Sequence, residues 1–198
     1  MTIVEKEKEN VVFVLGSSGP KAHQMFEFEK EVVKEYMNNQ TDTDTTYTIV
    51  IYGKDSSESR PINEHDKSKR NKLIDSITWS TTGTRLDLGL EKAHKVLKDN
   101  KDPKVHKIVY VFVSETASVT SDGVKQAAKK LLDSGSDIIT INVNDGIKAN
   151  NQVIPRSKFA VKTGIFDNPK MLVVLLTFTY RIGKFFWKIL QVSITIKK

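Results

Sequence analysis

Two rhythms of apolar and polar positions run along this chain. Short runs rich in apolar and β-branched residues occur at Val11-Val12-Phe13-Val14-Leu15, Tyr47-Thr48-Ile49-Val50-Ile51-Tyr52, Lys107-Ile108-Val109-Tyr110-Val111-Phe112-Val113 and Asp137-Ile138-Ile139-Thr140-Ile141-Asn142-Val143. Runs of this length, closed by Gly, Ser or polar segments, predict strands, and the fully apolar ones predict burial on both faces. Between them the apolar positions fall three and four residues apart. Met25, Phe28, Val32, Val33 and Tyr36 predict a helix over Lys21 to Tyr36. Leu86, Leu90, Ala93 and Leu97 predict a second, from Leu86 to about Leu97. A third is predicted over about Lys69 to Ile77, and a fourth over Ser121 to Leu132, started by Ser121 or Asp122 and stopped by Gly135. A short edge strand is expected near Arg60-Pro61-Ile62.

Strands that alternate with helices predict an α/β fold: a doubly wound, mainly parallel sheet with helices on both faces. Right-handed crossovers leave few other layouts. In such sheets the ligand crevice lies beyond the strand C-termini. Three segments meet that description: Gly16–Pro20, Thr81–Arg85 and Ser114–Ser118.

Composition removes several kinds of chemistry. The chain has 198 residues and no cysteine, which excludes disulfide scaffolds, thiol nucleophiles and iron–sulfur sites. Hydrophobic residues make up 38% and charged residues 28%, the balance of a globular domain. The net charge of +7 permits an anionic partner, but the basic residues are interleaved with acids outside the tail, so no nucleic-acid site is expected. His23, His65, His94 and His106 are scattered, and surface or helix-face roles are expected for them. No Gly-x-Ser-x-Gly elbow is present. The carboxylate pairs Glu27/Glu29 and Glu31/Glu35 fall on the polar faces of the first helix, where solvation is expected. Asn39-Gln40-Thr41 has the form of an N-glycosylation acceptor in a predicted loop. The N-terminus shows no signal peptide.

Three stretches carry a family resemblance: Val12-Phe13-Val14-Leu15-Gly16-Ser17-Ser18-Gly19, Thr82-Gly83-Thr84-Arg85-Leu86-Asp87-Leu88-Gly89-Leu90, and Ile108–Ser114 with the helix after it. Together they resemble the von Willebrand factor type A domain, which is similar to integrin inserted domains. The resemblance spans roughly residues 10 to 165. It implies a Mg²⁺ or Mn²⁺ site at the crevice, built from an Asp-x-Ser-x-Ser loop, a Thr and a further Asp. On that pattern Ser18 and Thr84 match, while Gly16, Pro20 and Ser114 stand where an Asp, a Ser and an Asp belong. Both carboxylates that would offset the dehydration of a hard cation are missing. A degenerate metal site of Ser18, Thr84, Ser114 and Glu115 is therefore expected to hold no ion, and no cofactor is expected. Glu115 neighbours the lost Asp position and could be aimed inward by a shifted loop, and Asp87 and Asp122 could also approach. Asp87 and Asp122 are expected to cap or solvate helix starts.

The resemblance implies a non-catalytic protein-binding or adhesion module. Its partner would be a matrix or cell-surface protein, met outside the cell through Gly16, Ser17, Gly19, Pro20 and Arg85 of the crevice loops. The alternatives are a metal-binding adhesion domain that uses Glu115 as a substitute ligand, and a doubly wound enzyme that binds a nucleotide or phosphate. A related option is that the backbone N–H groups of Gly16-Ser17-Ser18-Gly19 hold a phosphate or carboxylate. The chain divides into a polar extension (1–10), the domain (11–165) and an atypical apolar and basic segment (166–198), expected to be a closing helix. The uncharged stretch Met171–Tyr180 has 10 residues, short of the roughly 20 that a spanning helix needs, and a membrane-surface contact is the second choice for it.

Overall fold

A computed structural model of the chain describes residues 8–16, 22–40, 44–54, 57–78, 85–100, 102–113, 121–142 and 159–162. The elements are β1 (Glu9–Leu15), α1 (Ala22–Asn38), β2 (Thr46–Tyr52), β3 (Ser57–Ile62), α2 (Lys67–Asp75), α3 (Leu86–Lys98), β4 (His106–Val113), α4 (Asp122–Asp133), β5 (Ser136–Asn142) and β6 (Phe159–Lys162). The strands form one sheet in the order β3-β2-β1-β4-β5-β6. All neighbours are parallel except β3, which runs antiparallel on the edge of β2. The doubly wound layout predicted by the periodicity is thus present. Strand β1 lies at its centre, and the order reverses between β1 and β4, which places the crevice at their C-terminal ends.

Each face of the sheet has its own core, because side chains alternate along a strand. On one face Val11, Phe13, Leu15, Ile49, Ile51, Tyr110 and Phe112 pack against Phe26, Val32, Val33, Tyr36 and Met37 of α1 and against Ile74 and Ile77. Phe13 meets Tyr36 edge-on and stacks on Tyr110, with both pairs of ring centres 5.4 Å apart. On the other face Val12, Val14, Val50, Tyr52, Val109 and Val111 pack against Leu86, Leu90, Ala93 and Leu97 of α3 and Val124, Ala127, Ala128 and Leu131 of α4. Ser121 caps α4 by accepting the Val124 N–H, and Gly135 ends the turn after it with φ 80°.

Two expectations change. The buried stripe of α1 is rotated from the predicted one: Phe26, Glu29, Lys30 and Met37 are buried, whereas Met25 and Phe28 are only half-buried. Strand β6 was not expected, since its four residues are too few for a readable period. Residues 1–7 and 163–198 lie outside the described residues, and so do the predicted N-terminal extension, except for its last three residues, and the predicted closing helix. Among the described residues no helix is long and apolar enough to cross a membrane.

Candidate functional site

The crevice end of β1 is built around Gly16. Alternation carries position 16 to the same face as Val12 and Val14, toward α3. The β1–β2 register pairs Leu15 with Ile51, so Gly16 comes one step later, beside Tyr52. A Cβ added at Gly16 would lie 2.6 Å from both Cε1 and Cζ of the Tyr52 ring. A Cβ added at Gly89 of α3 would lie 2.9 Å from Tyr52 Cδ1 and 2.9 Å from Val14 Cγ1. Two glycines thus leave the space that the tyrosine ring occupies between the strand end and the helix. The ring also closes a hydrogen bond, since the Tyr52 hydroxyl donates to the Gly16 carbonyl at 2.9 Å.

The other peptide group of Gly16 is engaged from the opposite side. Its N–H donates to Glu29 Oε2 at 3.1 Å. Glu29 is 0% exposed, which overturns its expected place on a solvated helix face. A buried carboxylate needs donors, and this one has a strand-end amide that the fold brings 13 residues back to it. The Gly16 N–H, one of the four amides offered by sequence as an anion site, is engaged by the chain's own Glu29; the other three, at Ser17, Ser18 and Gly19, lie outside the described residues. Lys30, the next residue, is also buried at 4% exposure. Its Nζ donates to the Ile77 carbonyl at 3.1 Å and the Asp75 carbonyl at 3.3 Å, and it pairs with Glu27 at 2.9 Å.

The start of α3 forms the rim. Arg85 directly precedes α3 and grips Asp87 in the first turn with two bonds, Nε to Oδ1 at 2.9 Å and Nη2 to Oδ2 at 2.7 Å. Such planar two-point pairing is the strong form of an arginine–carboxylate contact. The Arg85 hydrogen bonds hold the Asp87 carboxyl below the usual carboxylate range, against the opposing effect of burial. Asp87 also abuts the first turn of α4, where a Cβ at Gly123 would be 3.2 Å from its Oδ2. The Arg85 side chain remains 51% exposed. Asp122 opens α4 and pairs with Lys125 at 3.0 Å on the surface.

Of the residues expected at the site, Gly16 and Arg85 are described. Ser17, Ser18, Gly19, Pro20, Thr84, Ser114 and Glu115 lie outside the described residues. Among the described residues no group of three or more His, Asp or Glu is arranged to hold a metal ion. His94 lies half-buried on α3, and His23 and His65 are exposed. His106 is not a simple surface histidine: its Nε2 lies 2.9 Å from Asp137 Oδ2 across the β4–β5 pair, at the N-terminal end of those strands. The residues that sequence reasoning missed are Tyr52, Glu29 and Lys30. For Glu29 a signal existed, since Ala22, Phe26, Glu29 and Val33 recur at helical spacing along one stripe.

Comparison with known proteins agrees with this architecture. The family model of the von Willebrand factor type A domain matches residues 10–168. No curated protein matches the sequence. Among solved structures, the VWA domain of SpRpn10 is similar at TM-score 0.61 and 14% identity, over 85% of this chain and 94% of that one. An aerotolerance-related membrane protein from Bacteroides fragilis NCTC 9343, crystallised with multiple mutations to serines, is similar at TM-score 0.60 and 12% identity, over 85% and 96%. The manganese-loaded TRAP protein of Plasmodium vivax is similar at TM-score 0.57 and 13% identity, over 86% and 72%. At these identities the likeness is one of fold.

Proposed function

Because the chain belongs to the von Willebrand factor type A domain family, we propose that it is a non-catalytic protein-binding module whose crevice face meets its partner without a resident divalent cation. Domains of this family commonly mediate protein–protein interactions. The observation that carries the metal-free reading is the Tyr52 ring, which fills the space that any side chain at Gly16 would enter. A hard divalent ion needs oxygen ligands, with carboxylates to offset its dehydration. Where the family pattern has an acid at the end of β1, this chain has no side chain and no room for one. The Ser18 and Thr84 hydroxyls alone do not fit Mg²⁺ or Mn²⁺ chemistry.

Arg85 is the residue we propose to read the partner. Asp87 fixes its guanidinium at the rim, so less rotamer freedom is lost when a partner is met. The partner class we propose is a matrix or cell-surface protein. The manganese-loaded TRAP protein among the structural neighbours supports a second reading, in which Glu115 completes a metal site. Titration calorimetry with MgCl₂ and MnCl₂ decides between them. The metal-free reading predicts no binding tighter than about millimolar, the weak end of the calcium-site range. Tight binding that is lost in Glu115→Ala would establish the second reading instead. Arg85→Glu is expected to abolish partner capture while leaving the fold unchanged by circular dichroism.

A further inference from the structure

Glu29 and Lys30 are adjacent in sequence, both buried, and oppositely charged. They do not serve the same neighbour. Glu29 reaches the end of β1 and accepts the Gly16 N–H. Lys30 reaches the end of α2 and donates to the carbonyls of Asp75 and Ile77. In sequence these two points precede the loops Gly16–Pro20 and Thr81–Arg85 that are expected at the crevice.

We propose that Glu29 and Lys30 are positioning residues, a two-armed clamp on α1 that fixes the end of β1 at Gly16 and the chain after α2 at Asp75 and Ile77, the described points nearest in sequence to two of the loops expected at the binding face. The inference rests on the protein-binding reading above and supplies its mechanism of preorganisation. Burying two charged side chains is costly unless each gains strong polar contacts, so their presence here marks a constraint that apolar residues could not provide. The constraint is specific. A carboxylate can hold an amide donor, an ammonium can hold two carbonyls, and neither can exchange its role with the other. Lys34 reinforces the second arm from outside, with its Nζ 2.7 Å from Asp75 Oδ1 and 2.6 Å from Glu31 Oε1. A face fixed before its partner arrives loses less freedom on binding.

Amide hydrogen exchange followed by NMR on the full chain tests the clamp. The readouts are the Gly16 amide for the first arm, and for the second the Ser76 and Ile77 amides, which bond to the Lys72 and Ile74 carbonyls. Glu29→Ala is expected to speed Gly16 exchange at least about ten-fold, the scale of one hydrogen bond to a charged group. Amides of β4 and β5 should keep their wild-type rates. Glu29→Gln, which retains an acceptor oxygen and nearly the same shape, should restore most of the protection and covers the case in which Glu29→Ala does not fold. Lys30→Met should speed exchange at Ser76 and Ile77 but not at Gly16. A uniform rise across β1, β4 and β5 would overturn the proposal by reducing both residues to general core support, and so would unchanged rates at Gly16, Ser76 and Ile77. The readout needs neither partner nor cation, so a failed clamp and a failed binding proposal are told apart.

Discussion

The end of β1 and the start of α3 lie on the same rim of the sheet and are built in opposite ways. At Gly16 the chain turns inward. Its N–H goes to Glu29, its carbonyl takes the Tyr52 hydroxyl, and the side-chain space is filled by the Tyr52 ring. At Arg85 the chain turns outward, with a guanidinium held by Asp87 and still half-exposed. The difference separates two tasks that one metal ion can perform at once, holding the floor of a site together and presenting positive charge to a partner. In the function proposed above, a buried aromatic and a buried carboxylate form the floor, and an arginine presents the charge.

The largest effect is expected from giving the floor a side chain. Gly16→Asp forces a Cβ against the Tyr52 ring, which is backed on its other side by Gly89 of α3, where an added Cβ would lie 2.9 Å from its Cδ1. Overpacking and an added buried charge should destabilise the fold by about 3 kcal/mol or more, read by urea denaturation. Gly89→Ala presses on the same ring from α3 and should cost about 2 kcal/mol. Tyr52→Phe leaves the ring in place and removes only the bond to the Gly16 carbonyl, for an expected loss of about 1 kcal/mol. The rim should be far less sensitive. Arg85→Ala should cost a small amount of stability at neutral pH and should raise the Asp87 pKa toward its ordinary 3.8, as followed by NMR titration. The sign follows from linkage. A carboxyl with a lowered folded pKa contributes stability above its unfolded value and loses it as pH falls through the folded one. The wild type should therefore lose stability on acidification that the variant lacks.

The same contrast bears on what the sequence discloses. Elements that bury a continuous face were legible: β4 as an unbroken apolar run, and α3 from Leu86, Leu90, Ala93 and Leu97. The doubly wound layout followed from their alternation. Strand β6 did not, because four residues carry no period. An acid on a helix is usually exposed, so the sequence alone puts Glu29 in solvent, and its amide partner at Gly16 is created by the fold. The His106–Asp137 pair was invisible for the same reason, since it joins residues 31 apart that only the β4–β5 register aligns. The reversal of strand order between β1 and β4, from which the crevice is expected, followed from topology, and Gly16 and Arg85 are the described residues of the expected site. That Gly16 signals an occupied space, and not merely an absent ligand, required the Tyr52 ring to be seen beside it.

The Tyr52 ring and the missing side chain at Gly16 are fitted to each other. A double-mutant cycle of Gly16→Asp and Tyr52→Ala, measured by urea denaturation, tests it most directly. If Tyr52 occupies the space, Gly16→Asp should cost about 2 kcal/mol less in the Tyr52→Ala background than in the wild type, a coupling within the range for residues in contact. An equal cost in both backgrounds would mean that the ring does not exclude a carboxylate from the end of β1, and the account would fail there.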